Sequence, residues 1–338
     1  MAGGFGLHRH CITTDNFVIS AVTDKGKRTM ALDVLSVTHD SLLAHSDSQQ
    51  FSNYDWNACR FLTCSVLPVR YACNLKCPFC FSKSSISSLA REQTDWRSLD
   101  VPSYYRFARE QGATRLVITG GGEPLLRPDD VLYLISLGKE FFDEIACFTN
   151  GTYLTLDLAK KLHDAGLSYV CYSRHHEEDD VCRELMGSAA PLRDDFFKAA
   201  GPLKVRATCV MAKGYVDSIQ KVDQYMDVLR HYGVREFTFK HTYVAYEQSV
   251  FGASIENLWA YDHQIEFDPF ANRGDVVAKL PWGPQIRRID ELQVCYYYEP
   301  SPNWEKEHQL CRSINLLSDG MVYASLEDAS SQLYRLSS

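Results

Sequence analysis

In SVLPVRYACNLKCPFCF, from Ser65 to Phe81, a short apolar strand runs directly into a loop carrying Cys73, Cys77 and Cys80. Three thiolates at this Cys-x3-Cys-x2-Cys spacing can hold three irons of a cubane iron-sulfur cluster and leave the fourth iron open. An open iron implies chemistry at the metal rather than electron storage alone. The competing reading is a structural zinc loop, which needs a fourth Cys or His because structural zinc is held tetrahedrally. Cys59 and Cys64 lie upstream and are the candidates. Zinc sites usually come as two tight pairs, however, and no second tight pair lies near this loop.

Outward from the loop, residues 66–240 alternate β-branched runs with amphipathic segments, as in a parallel sheet covered by helices. Ser65 to Arg70 reads as the first strand, with a helix near Ser103 to Gln111. TRLVITG from Thr114 is the second, followed by a helix after Pro128, Asp129 and Asp130, residue types favoured in a first turn. EIACFTNG gives the third, and its helix has Thr155 as cap, Leu158 and Leu162 on one face and Gly166 as stop. SYVCYSR from Ser168 and LKVRATCVM from Leu203 are the fourth and fifth. A helix from about Asp217 to Tyr232 carries Val216, Ile219, Val222, Met226 and Leu229 at helical spacing, ends at Gly233, and leads to VREFTFK, the sixth.

The predicted fold is therefore α/β, a partial (β/α)6 barrel over residues 63–241 with its ligands outside the carboxyl ends of the strands. Residues 1–62, with NFVISAVT and TMALDVLSV, predict an N-terminal β-rich extension. Residues 242–338 predict a C-terminal extension covering the substrate. Its pieces QVCYYYE and INLLSDGMVYASLED read as antiparallel strands, with Asp319-Gly320 as a hairpin turn.

The cysteine loop with Phe79 and Phe81, TGGGEPLL one βα unit later (Thr119 to Leu126), and FTNG with Thr149, Asn150 and Gly151 resemble the radical S-adenosylmethionine (radical SAM) superfamily, as a single-cluster member. The resemblance extends from about Leu67 to Lys240. It implies one [4Fe-4S] cluster on Cys73, Cys77 and Cys80, with S-adenosyl-L-methionine (SAM) chelating the open iron. The cosubstrate would meet Phe79, Gly121, Gly122, Glu123, Asn150, Ser173 and Arg174. It further implies an external electron donor such as flavodoxin or ferredoxin, reductive cleavage of SAM, and a 5'-deoxyadenosyl radical that abstracts hydrogen from substrate. Arg206 is a charge in an otherwise apolar buried strand and needs a partner, either a carboxylate of the bound cosubstrate or an internal Asp or Glu.

A net charge of -8 and the absence of a Lys/Arg-rich run argue against a nucleic-acid binder. No apolar run approaches the ~20 residues of a bilayer span, and MAGGFGLHRH lacks a signal-peptide core, so a cytoplasmic protein is expected. The twelve scattered cysteines are expected to be mostly free thiols in a reducing compartment. Cys295 and Cys311, the last two, are too few for a second cluster. His175 and His176, followed by Glu177, Glu178, Asp179 and Asp180, offer either a metal site or acids favoured at a helix start. Lys240, His241, Tyr243, Tyr246 and Glu247, after the sixth strand, are candidates to touch substrate. Together these features predict a small polar substrate of nucleoside or sugar type in a biosynthetic pathway, such as that of an antibiotic or other natural product. The alternatives are a maturase of a ribosomal peptide, with the first sixty residues as leader-binding module, and a zinc or iron-sulfur sensor that does no catalysis.

Overall fold

The computed structural model describes residues 11–14, 17–20, 54–246, 249–265 and 267–337. Strands β1 (Cys11–Thr14) and β2 (Phe17–Ser20) pair as an antiparallel hairpin. TMALDVLSV of the expected N-terminal extension lies outside the described residues, as does Glu247.

Six βα units follow, the first strand lying at Arg60–Val66 rather than at the expected Ser65 to Arg70. They run β3 (Arg60–Val66), α1 (Val101–Glu110), β4 (Arg115–Ile118), α2 (Pro128–Gly138), β5 (Ile145–Thr149), α3 (Leu156–Ala165), β6 (Tyr169–Ser173), α4 (Asp179–Met186), α5 (Arg193–Ala200), β7 (Val205–Val210), α6 (Ile219–Arg230) and β8 (Glu236–Lys240). Successive strands from β3 to β8 are parallel neighbours. Local chemistry sets the helix ends. Thr155 caps α3 by accepting from the Leu158 amide, and Gly166 closes it at φ +109°, where a side chain would be strained. Ser218 caps α6, which begins two residues inside the expected start. Helix α5 has no counterpart in the sequence reading; its eight residues are too short to show a clear period.

The C-terminal segment continues α7 (Ile255–Asp262), β9 (Asp275–Lys279), β10 (Gln285–Ile289), β11 (Leu292–Tyr297), α8 (Pro302–His308), β12 (Leu310–Leu316), β13 (Met321–Tyr323) and β14 (Gln332–Arg335). The expectation of an antiparallel extension holds for β9–β10–β11 and β12–β13–β14, whose turn is indeed at Gly320, φ +82°. It fails at the barrel. β11 adds parallel to β8, and β12 adds parallel to β3. The sheet order is β14-β13-β12-β3-β4-β5-β6-β7-β8-β11-β10-β9, so eight parallel strands curve between two antiparallel edges. The hydrophobic alternation of a strand does not encode the direction of its partner, which is why sequence could not reveal this.

Each strand sends alternate residues outward, under the helices, and inward. Leu116, Ile118, Ile145 and Cys147 are buried beneath α1–α3 with Tyr104, Tyr105, Leu134 and Leu162. Each such fully buried aliphatic side chain contributes about 1.5–3 kcal/mol. Ala207, Cys209, Phe237 and Phe239 pack likewise against Val222, Met226 and Leu229 of α6. Inward, a smaller cluster of Ala146, Phe148, Tyr169 and Cys171 shares the barrel with polar side chains of β7, β8 and β11. The carboxyl ends of the strands stay open for loops.

Candidate active site

The cysteine loop leaves the carboxyl end of β3 and is pinned from below. Its backbone rests on the glycine loop after β4: the Glu123 amide donates to Ala72 O (2.9 Å). A Cβ at Gly121 would lie 2.0 Å from Val69 O, and one at Gly122 1.8 Å from Ala72 O. Only glycine admits this approach of two main chains. On the far side the Lys76 amide donates to Met186 O at the end of α4 (2.8 Å), and Leu75 packs on Cys182, Met186 and Ala190 with Cys77. Phe79 is wedged edge-on against His175 (4.7 Å between ring centres) and tilted against Trp259 (5.7 Å). Lys83 pairs with Glu256 at 2.6 Å, and Ser84 with Ser254, tying the loop to α7.

Burial pushes the Cys73, Cys77 and Cys80 thiols up, and for Cys77 the neighbouring Cys80 and Cys73 add to the effect. Three mutually coupled thiols of this kind need bound cations to become thiolates. Among the described residues no three His, Cys, Asp or Glu side chains converge on one point as a single metal ion requires. The upstream thiols cannot complete a zinc site: Cys64 is buried on β3 beneath Tyr104, and Cys59, before β3, bonds the Tyr54 hydroxyl at 3.4 Å.

Glu123 is 2 % exposed, and its carboxylate is fully engaged, accepting from Thr149 Oγ1 (2.6 Å), the Asn150 amide (2.8 Å) and the Leu125 amide (3.0 Å). Burial raises its pKa, and these three bonds oppose the shift. Its side chain thus ties the end of β4 to the end of β5. Asn150 reaches back to the cysteine loop, donating through Nδ2 to Asn74 Oδ1 (3.0 Å) and toward Cys73 Sγ (3.7 Å). Ser173, half-buried at the end of β6, sits in register with Thr208 on β7. Buried Thr208 Oγ1 and Asn74 Nδ2 lack a hydrogen-bond partner. Unpaired buried polar atoms are rare enough to suggest a missing ligand, and these two, with the glycine cradle, fit a polar cosubstrate between the cysteine loop and β5–β7.

Two expected cosubstrate residues are committed elsewhere. Arg206 lies at the amino end of β7, donating through Nε and Nη2 to Glu236 Oε2 (3.0 and 2.7 Å) and stacking over Tyr169 at 4.4 Å. The internal carboxylate is its partner. Arg174 is wholly buried, donating to Asp179 Oδ1 (2.7 Å) and Glu177 O (3.0 Å). His175 and His176 are also structural: the Val210 amide donates to His175 Nδ1 (3.0 Å), and burial depresses His175 to about 3, helped by Lys240 and Arg174. The following acids begin α4, as one of the two readings expected. Asn74, Thr208 and Trp259 were not singled out as ligands from sequence; only Asn74, inside the cysteine loop, carried a positional signal.

Above the loop, Phe79, Phe81, Val210, Lys240, His241, Tyr243, Tyr297, Tyr298 and Glu299 line a cleft of about 30 Å³. The larger hollow on the outer face of α6, from Ile219 to His231, is remote from these groups.

The site is thus a cysteine loop cradled by glycines at the carboxyl end of a parallel half-barrel. The family model described as the Radical SAM superfamily matches residues 67–204. GTP 3',8-cyclase of Thermodesulfovibrio yellowstonii is 31% identical over 152 residues, 43% of this chain and 46% of that protein. GTP 3',8-cyclase of Aliarcobacter butzleri is 26% identical over 280 residues, 77% of this chain and 79% of that one. Among solved structures, SuiB of Streptococcus suis bound to S-adenosylmethionine superposes with a TM-score of 0.49 at 17% identity, covering 80% of this chain and 61% of that one. The chain thus spans under half the length of the first of these curated relatives. Residues 67–204 are thus similar to the radical SAM superfamily. Among the described residues no helix is long and apolar enough to cross a membrane.

Proposed function

We propose that this enzyme cleaves SAM reductively at a single [4Fe-4S] cluster and removes a hydrogen atom from a small polar substrate of nucleoside or sugar type, drawing electrons from a flavodoxin- or ferredoxin-type donor. The observation that carries this reading is the contact of Gly121 and Gly122 with the carbonyls of Val69 and Ala72, which holds the cysteine loop in one conformation. The relatives named GTP 3',8-cyclase favour a nucleotide-type substrate.

Cys73, Cys77 and Cys80 would hold the cluster, and the backbone of the glycine loop with Asn150, Ser173 and Thr208 would meet the cosubstrate. When bound, cluster and SAM together supply the one-electron chemistry that yields 5'-deoxyadenosine after hydrogen abstraction. The chain's own contribution is positional. Glu123 fixes the distance between the β4 and β5 loops through Thr149 and Asn150. Phe79, backed by His175 and Trp259, presents an apolar wall that excludes water from the reacting region. The neutral state of His175 keeps charge away from that wall.

Anaerobic reconstitution with iron and sulfide, reduction, and chromatography for 5'-deoxyadenosine test the reading. The wild type forms it, and Cys77→Ala loses the cluster and the product. A wild type that holds zinc, or a cluster indifferent to SAM, refutes it.

A further inference from the structure

At the mouth of the barrel, among the described residues, Lys240 and Arg312 share the carboxylate of Glu299. Lys240 ends β8, and its Nζ lies 5.1 Å from the Tyr297 ring and 6.0 Å from that of Phe148 across the interior. Its carboxylate neighbour is Glu299, at 3.5 Å. That carboxylate is already held more closely by others: Glu299 Oε2 accepts from Tyr297 OH (2.7 Å) and pairs with Arg312 Nε (3.0 Å). Burial alone would push Glu299 up, but Arg312 and Lys240 hold it low, and Arg312 lies the nearer of the two. Two further carboxyls approach the network. Burial pushes Glu305 up to about 8, and burial with the charges of Glu299 and Glu305 raises Glu327 well above the carboxylate range. Lys306 is matched by Asp328 at 2.9 Å. His241, which also lines the cleft, bonds Tyr296 OH through Nδ1 (2.9 Å).

We propose that Lys240 is the specificity-determining cation of the substrate cleft, its ammonium receiving an anionic group, phosphate or carboxylate, on a substrate held among Phe79, Phe81, Tyr297 and Tyr298. This rests on the small-substrate reading above and narrows it. A lysine ammonium over aromatic faces, partly shielded from water, binds an anion more strongly than an exposed one would. The cleft has room for about one water with the rings as they stand, so entry of the substrate requires Tyr297, Tyr298 or Phe81 to turn aside.

Anaerobically reconstituted holoenzyme with SAM is titrated with guanosine 5'-monophosphate against guanosine, and with glucuronate against glucose, following Tyr and Trp fluorescence. The anionic member of at least one pair binds tenfold or more tightly than its neutral partner. The first pair reports a phosphate, the second a carboxylate. Lys240→Gln brings that ratio below threefold and Lys240→Arg retains it, with melting temperature and SAM affinity measured alongside to show that both variants are folded. A ratio unchanged in Lys240→Gln, or no preference for either anion in the wild type, overturns the inference. Formation of 5'-deoxyadenosine is read separately: if the wild type forms it without a Lys240-dependent preference, only this inference falls, and if it forms none, the reading of function falls.

Discussion

Gly122→Ala isolates what the glycine loop does for the cysteine loop. The new Cβ would stand 1.8 Å from Ala72 O, 2.6 Å from its carbonyl carbon and 2.9 Å from its nitrogen. All three atoms are main chain, so no rotamer change relieves the overlap. To bring the oxygen from 1.8 Å to the 3.0 Å limit of real contacts, the loop must retreat by about 1.2 Å. That exceeds the ~0.5 Å within which a site must be held to work. The retreat also breaks the bond from the Glu123 amide to Ala72 O, about 1 kcal/mol, on top of about 1–3 kcal/mol for overpacking. The expected result is a variant less stable by about 2–4 kcal/mol in urea that takes up less than a third of the wild-type iron. Gly252→Ala, whose Cβ would meet nothing closer than Ser249 O at 3.4 Å, is the control. The assay is iron and acid-labile sulfide per chain after anaerobic reconstitution. Full iron loading of Gly122→Ala with unchanged stability would refute the cradle.

Arg206→Met removes the bidentate partner of half-buried Glu236, which keeps only Lys204. It should lose about 2 kcal/mol of stability and leave SAM affinity untouched. A tenfold loss of affinity without a shift in melting would return Arg206 to the cosubstrate. For Glu305 the folded pKa of about 8 lies above the ordinary 4.5 of an unfolded glutamate, so the folded state holds a proton that the unfolded state has released. Its stabilisation is complete below pH 4.5 and declines as pH rises toward 8, by at most about 1.4 kcal/mol per unit. Glu305→Gln, which cannot ionise, should flatten the stability profile between pH 6 and 8 in chemical denaturation. An equally steep profile in the variant would show that another group is responsible.

The parts legible in the sequence share a local cause. Thr155 and Gly166 delimit α3 because cap and stop act within a few residues, and the six barrel strands alternate with helices whose periods are readable segment by segment. The cysteine loop and the glycines after β4 were legible as a pair because both follow strands at the same end of one sheet. What sequence hid was non-local. Arg206 resembles a ligand residue until Glu236, thirty positions away on the next strand, is seen beside it. Glu123 likewise resembles a free carboxylate until Thr149 and Asn150 arrive from β5. The parallel pairing of β11 and β12 depends on long-range partners that no window of residues contains.

Strands β11 and β12 share no backbone ladder, and Glu299, just after β11, pairs with Arg312 of β12 through side chains. Between neighbouring strands of the sheet the separation is set by hydrogen bonds repeated residue after residue, a spacing that cannot be altered piecemeal. Between β11 and β12 the link is one of two replaceable side chains. The same side chains neighbour Lys240, so this link and the cleft share a wall. Substitutions there would let relatives of this enzyme admit bulkier or slimmer molecules while the cysteine loop and its glycine support stay as they are.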